Sequence, residues 1–505
     1  MTRPVGFDNE AYLREQAASI LERVDAMGDK LYLEFGGKLL YDYHASRVLP
    51  GFDPNVKMQL LKNLREKADI ILCIYSGDIE RRKVRADFGI TYDADAMKLI
   101  DDLNGWGIAI TAVVITRYDD QPAAKVFKNK LEHRGIRVYV HRYTKGYPTD
   151  VDMIVSDEGY GANEYIETKN PLVVVTGPGP GSGKLATCLT QLYHEHKRGV
   201  KVGYAKFETF PVWNLPLKHP VNIAYEAATA DIGDYNQIDP FHLEAYGKTS
   251  VNYNRDVEVF PVVSRILERI SGRQSVYSSP TDMGVNKVGF AITDDEAVRN
   301  ASAQEIIRRY LRCACERVMG FVDDDAVQRV ELLMRELDIS PDNRSVVGAS
   351  HAAAKCESES GAGSEGIVVA AAIELPDQTL ITGHNSPLLH AASSMIINAI
   401  KHLAGIPKQL HLLPTAITES VNSFKTGILN MKSASLDLEE TLIALSISAM
   451  TNSAAQLALE RLPDLRGCEM HSTHIPTKGD EEGLRRLGIN VTSDAAFSSK
   501  NLFVQ

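Results

Sequence analysis

The sequence predicts an α/β protein: a doubly wound, parallel-sheet N-terminal unit with a P-loop-like turn, a helical connector, and a second, smaller α/β domain. Three observations lead there. Short apolar runs alternate with helical segments over residues 1–235, as in a parallel sheet covered on both faces. The segment 236–345 carries long, charge-rich helical patterns instead. From 346 to 505 the α/β pattern returns.

The elements follow in order. Residues 10–28 form an amphipathic helix, and Lys30-Leu-Tyr-Leu-Glu-Phe35 is a strand that breaks at Gly36-Gly37. A helix near Val56–Ala68 leads to the buried strand Ile70–Tyr75. Helix Asp93–Asn104, strand Ile108–Thr116, helix Ala123–Arg134 and strand Gly135–Val140 come next. Two more apolar runs, Val151–Val155 and Pro171–Thr176, read as further strands. In the connector, Val262–Arg273, Asp294–Gly320 and Asp325–Leu337 are helical, followed by the turn-rich Ser340–Ser345. Glu357–Gly366 is small and polar, as a surface loop is. Beyond it, Ile367–Ile373 and Thr379–Thr382 pair as a hairpin across Pro376-Asp377. Ser386–Ala404, Leu438–Met450 and Ala454–Arg461 are helices, and Cys468–Ile475 and Ile489–Thr492 are strands.

Composition narrows the function classes. At 505 residues the chain exceeds one compact core, and size scaling suggests roughly two to four domains. A net charge of −11 disfavours nucleic acid and anionic lipid as partners. The nearest basic run, Glu80-Arg-Arg-Lys83, is short and begins with an acid. Six scattered cysteines, at 73, 188, 313, 315, 356 and 468, do not make a disulfide framework. No apolar signal core opens the chain, and no uninterrupted apolar stretch reaches membrane-spanning length. The nearest, Ala391–Ile406, carries Lys401 and His402. A cytoplasmic location is expected, and self-association is the base expectation for a long chain of this type.

The best functional signal is Val173-Val-Val-Thr-Gly-Pro-Gly-Pro-Gly-Ser-Gly-Lys184, an apolar run entering a glycine-rich loop before a helix. Gly177, Gly179, Gly181, Ser182, Gly183 and Lys184 have the makings of an anion cradle. Glycine lets successive amides turn inward, the helix start carries partial positive charge, and lysine adds a full one. The match to the nucleotide-binding Walker pattern is incomplete. Gly177 and Gly183 are six apart, one more than the pattern requires, and Leu185 replaces its Ser or Thr. Thr187 lies two positions further on. The expected ligand is a nucleotide such as ATP or another phosphorylated small molecule, with magnesium use open. A plain strand–turn–helix connection is the competing reading.

Other candidates are weaker. Asp231 and Asp234, after the apolar stretch Val221–Tyr225, are carboxylates for a metal or solvated turn residues. Lys206 and Glu208 end the strand after the loop helix, where α/β sheets line ligand crevices. Glu34-Phe-Gly-Gly-Lys38 reads as a second anion contact or, more simply, a tight turn. Asp282 and Asn286, in the polar stretch Tyr277–Asn286, face a ligand or cap a helix. Thr382-Gly-His-Asn-Ser386 ends a strand and opens a helix, where free amides offer another anion contact or Ser386 serves simply as the N-cap. Cys468, His471 and His474 recur every three residues, but on a strand such positions alternate between faces, so no zinc site is expected from them. His194-Glu-His196 lacks the spacing of a zinc-protease helix.

Phe35-Gly-Gly-Lys38, Tyr277-Ser-Ser-Pro-Thr-Asp-Met-Gly-Val-Asn286, Asn385-Ser-Pro-Leu-Leu389 and Gly467-Cys-Glu-Met-His-Ser-Thr473 resemble motifs of domain-of-unknown-function family 1846. This is an uncharacterised bacterial family, and the resemblance runs over nearly the whole chain. It implies a cytosolic bacterial protein with N-terminal and C-terminal α/β parts. Members have sometimes been labelled ATP-dependent peptidases, and no residues here support proteolysis. The resemblance brings no catalytic residues. Two function classes lead: an enzyme acting on a phosphorylated ligand, for instance by phosphoryl transfer, and a binding or regulatory protein that senses one without turning it over; a zinc peptidase is a third, less favoured reading.

Overall fold

The structure, a computed structural model, describes residues 4–85, 89–359 and 367–499. Two compact units emerge, one of Val5–Thr229 with Asp234–Ser302, the other of Ala230–Gly233 with the residues from Ala303 on.

The first unit is built on a seven-stranded sheet. Its strands are β1 (Lys30–Phe35), β2 (Ala68–Tyr75), β3 (Ala112–Thr116), β4 (Val138–His141), β5 (Leu172–Thr176), β6 (Val202–Phe207) and the short β7 (Gly284–Val285). Their order is β7-β6-β1-β5-β2-β3-β4, with every pairing parallel. The apolar runs are continuous because both faces are covered. One face packs Leu33, Leu72, Val113 and Val174 against helices α1 (Asn9–Met27), α2 (Val56–Leu64), α3 (Tyr92–Gly105) and α4 (Pro122–Glu132). The other packs Ile71, Val114, Val173 and Val175 against α5 (Lys184–Lys197) and α6 (Asn254–Ser271). Alternate residues of each strand thus feed opposite cores, which makes the sheet doubly wound.

One expected strand is a helix. Val151–Ile154 forms a helical turn because Asp150 accepts a hydrogen bond from the Met153 amide at 3.0 Å, an N-cap that outweighs the apolar run. β5, which enters the glycine loop, is therefore the fifth strand of this sheet in chain order.

In the second unit, part of α7 (Asp295–Val318), then α8 (Asp324–Glu336) and α9 (Ser345–Glu359) precede a four-stranded mixed sheet. Its strands are β8 (Ala370–Glu374), β9 (Leu380–His384), β10 (Glu469–Ser472) and β11 (Asn490–Ser493), in the order β9-β8-β10-β11. β8 and β9 form the expected antiparallel hairpin, and β10 runs parallel to β11. Met395, Ile396 and Leu445 cover Ala371, Ile373 and Met470 of this sheet. Of the expected loop Glu357–Gly366, residues up to Glu359 continue α9 and residues 360–366 lie outside the described ones. The helix expected from Ser386 begins at Ala391. Ser386 Oγ accepts from the amides of Leu388 and Leu389, at 3.2 and 3.1 Å, so it closes a local turn instead of capping the helix.

Candidate functional site at the carboxyl edge of the large sheet

The glycine-rich loop leaves β5 at the carboxyl edge of the sheet, between β1 and β2. Its backbone is held from the outside. The Ser182 carbonyl accepts from Thr116 Oγ1 at 2.8 Å, and the Gly181 carbonyl accepts from the Arg117 guanidinium. Gly181 and Gly183 take left-handed φ values of 72° and 92°. A Cβ on Gly183 would stand 2.7 Å from Thr116 Cγ2, so both conformation and space require glycine there. At Gly179 a Cβ would meet the Tyr92 ring at 2.5 Å. The carbonyls at 181 and 182 are therefore engaged, whereas the amides of Gly181, Ser182, Gly183 and Lys184 donate to no group among the described residues. Lys184 Nζ folds back over the loop, 3.5 Å from both the Gly179 carbonyl and Ser182 Oγ. Ser182 is buried at 3% exposure. Thr187 is also buried, on the sheet side of α5, and its Oγ1 accepts from Cys73 Sγ at 3.4 Å.

Beside the loop is a small cleft of about 30 Å³, lined by Gly177 and Pro178 with Lys38, Tyr41, Asp95 and Lys98. A larger cleft of about 410 Å³ opens at the other, amino-terminal edge of the strands, around Asp69, Thr111 and Asn170. There the Asp69 carboxylate is already spent on the Lys169 and Asn170 amides and Thr111 Oγ1.

A second group of polar side chains occupies the same edge and the same face. Sheet register aligns Val175 of β5 with Glu34 of β1, and Glu34 with Lys206 of β6. With neighbouring strands about 4.8 Å apart, Lys206 stands about 10 Å across the sheet from Val175. Lys206 Nζ bonds Glu208 Oε1 at 2.9 Å, and also the Asp256 carboxylate and the Tyr253 hydroxyl. Glu34 accepts from Tyr204 OH at 2.8 Å. Burial works against the Lys206 ammonium, but Asp256 and Glu208 outweigh it and keep the amine protonated. Burial pushes the Glu208 carboxyl up from its ordinary 4.5 to about 7, with Asp256 adding to the rise and Lys206 opposing it. A carboxyl that titrates near neutrality can both take and give a proton.

The remaining candidates are placed as follows. Asp234 is buried and paired with Arg255 at 2.5 Å, with Oδ1 left without a partner. Burial raises its pKa, and Arg255 opposes the rise. Asp231 lies exposed on the 3-10 turn Ala230–Ile232. The Asp282 carboxylate accepts from the Ser278 and Ser279 amides at 3.0 Å each, and from Tyr246 OH at 3.0 Å, so it caps the helical turn Pro280–Met283. Asn286 is buried and donates to the carbonyls of Thr209 and Pro211 at 3.2 and 3.1 Å, bracing the loop after β6. Asn385 likewise bonds the Val369 amide and the Ile367 carbonyl, tying the end of β9 to the segment before β8. Sequence reasoning missed Arg117 and Asp256. Nothing local marks them, because β3 becomes the loop's neighbour, and α6 that of β6, only through tertiary packing.

In the second unit, Cys468, His471 and His474 are not gathered at one point. Cys468 Sγ turns toward the Asp464 carbonyl, 3.9 Å away, while His471 is fully buried on β10. His471 instead joins His351 and Asp494, described below. No helix among the described residues is long and apolar enough to cross a membrane.

Comparison with known proteins agrees with the resemblance read from the motifs. The family described as domain of unknown function DUF1846, N-terminal, matches residues 5–338, and its C-terminal counterpart matches residues 342–503. A UPF0371 protein of Clostridium botulinum (strain 657 / Type Ba4) is 57% identical over 500 residues, covering 99% of both chains. A UPF0371 protein of Clostridioides difficile (strain 630) is 56% identical over 499 residues, again with 99% of both chains covered. The chain belongs to the DUF1846 family.

Proposed function

We propose that this DUF1846 protein binds a nucleotide or other phosphorylated small molecule at the carboxyl edge of its large sheet, and acts on it there as an enzyme. The observation that carries the reading is the state of the loop: its carbonyls at 181 and 182 are engaged, its amides from Gly181 to Lys184 are not, and the Lys184 ammonium lies over them. Such an arrangement offers an anion several donors at a helix start. The phosphate sits on these amides and Lys184, with Arg117 at hand for a further charge. The rest of the ligand extends across Glu34 toward Lys206, where Glu208 serves as general base or acid and Lys206 steadies the developing negative charge.

The experiment is calorimetry of the intact chain with ATP, GTP and a panel of sugar and other metabolite phosphates. We expect one of these to bind, and Lys184→Ala to weaken it at least tenfold. Equal binding by the variant, or no binding by the parent chain, removes the reading.

One observation favours a sensing role over turnover. Leu185 stands where a magnesium-holding hydroxyl belongs, and the next hydroxyl, Thr187, is buried against Cys73. A ligand that binds tightly and is recovered unchanged, with no difference between the parent chain and Glu208→Gln, would establish that second role.

A further inference from the structure

The second unit gathers three ligand-type side chains from distant parts of the sequence. His351 lies on α9, His471 on β10, and Asp494 directly after β11. One ligand atom from each lies within 4.8 Å of the others. His351 Nε2 is 2.8 Å from Asp494 Oδ2, and His471 Nε2 is 3.2 Å from Asp494 Oδ1. The two imidazole rings stand nearly perpendicular, with centroids 5.8 Å apart.

The contacts of His471 admit a tautomer suited to a metal. Thr492 Oγ1 donates its single proton to the Met470 carbonyl at 2.9 Å. With its proton so placed, it accepts from His471 Nδ1, 3.0 Å away, and in that tautomer Nδ1 carries the ring proton. The other nitrogen, Nε2, then turns a lone pair toward a carboxylate oxygen. Two electron-rich atoms do not face each other at 3.2 Å without a cation between them. His351 Nε2 meets the other oxygen of the same carboxylate at 2.8 Å, and its neutral ring can turn a lone pair from that nitrogen to a metal as well as donate a proton. One divalent ion accepts both lone pairs and the carboxylate at once.

We propose that His351, His471 and Asp494 form a binding site for a divalent transition-metal ion of the zinc class. Two neutral imidazoles and a carboxylate are borderline donors that suit zinc and leave a fourth position open. Bonds of about 2.0–2.1 Å in a tetrahedron set ligand atoms roughly 3.3 Å apart, and the three ligand atoms here lie within 4.8 Å of one another. Thr492 supplies the outer hydrogen bond that fixes the tautomer of a metal-bound histidine. The site is graded in exposure: His471 is buried, while the side chains of Asp494 and His351 are 34% and 47% exposed. The open position therefore has access to solvent.

The test uses the full chain, treated with a chelator and titrated with zinc against a chromogenic competitor, with unfolding temperature as a second readout. One equivalent of zinc should bind and raise the unfolding temperature. His351→Ala and Asp494→Ala, both partly exposed positions that leave the core intact, should each weaken binding at least tenfold and abolish the rise. Cys356→Ser, which removes an exposed thiol elsewhere on α9, should change neither, and magnesium should not compete. If the parent chain binds no more zinc than His351→Ala, or Cys356→Ser removes the binding, the assignment is overturned.

Discussion

The two sheets of this protein place their polar residues in different ways. In the seven-stranded parallel sheet the middles of the strands are apolar on both faces, and polar side chains collect at the strand ends: Glu34, Thr116, Thr176 and Lys206 toward the carboxyl edge, Lys30 and Asp69 at the amino edge. Helices cover both faces, so a strand meets solvent or ligand only at its ends, and parallel direction puts every carboxyl end on one edge. In the four-stranded mixed sheet, polar side chains occur along the strands themselves, as with the buried His471 and Thr492, and the edge strand β9 leaves Leu380 exposed. There each buried polar group must find its partner on a neighbouring strand or helix. The large sheet thus concentrates chemistry along a line, and the small sheet isolates it at points.

The largest expected effect tests the large sheet's edge. Lys206→Met leaves Glu208 and Asp256 buried beside each other without their shared cation, and breaking such a buried pair costs about 3–5 kcal/mol. Chemical denaturation would show it as a lower midpoint. A loss below about 1 kcal/mol would mean that the edge is solvated, and the contrast between the sheets would weaken.

A smaller effect concerns pH. Folding raises the Glu208 pKa from 4.5 to about 7, so the folded state holds that proton more firmly than the unfolded chain. Below the lower value both states are protonated. As pH rises from there toward the upper value, this group's contribution to stability declines. Urea unfolding of Glu208→Gln across that window should lack this part of the slope. An unchanged slope would place the proton elsewhere in the cluster.

The smallest effect belongs to the small sheet. Leu380→Ser at the exposed edge should alter stability by no more than about 0.5 kcal/mol. A cost several times larger in thermal unfolding would show that β9 is covered in solution, and that the small sheet hides its edge as thoroughly as the large one.

Much of the architecture was legible in the sequence because it depends on local pattern. The continuous run Leu-Val-Val-Val-Thr176 reads as a strand buried on both faces, and it is one. Asp150 shows where local reading failed: a short apolar run looks like a strand until its cap is noticed. Ser386 failed the other way, since a serine before an apolar segment can close a turn as readily as cap a helix. The clusters were not legible. Lys206 near the end of β6 and Glu208 just beyond it are two positions apart, but Asp256 comes from α6, some fifty positions on. His471 stood out only beside Cys468 and His474, whereas its partners are His351 and Asp494.

The sequence by itself determined the layered α/β character, the placing of glycines and Lys184 between a buried strand and its helix, and the family. Each rests on residues close together in the chain, where periodicity, glycine conformation and turn chemistry act over one or two turns. Tertiary structure alone decided that Thr116 and Arg117 would hold the loop's carbonyls, that Glu34 would lie between the loop strand and Lys206, and that two distant histidines would converge on Asp494. Strand order brings these groups together, and it is set by which buried faces pack best across the whole sheet, a competition in which no short segment carries enough information.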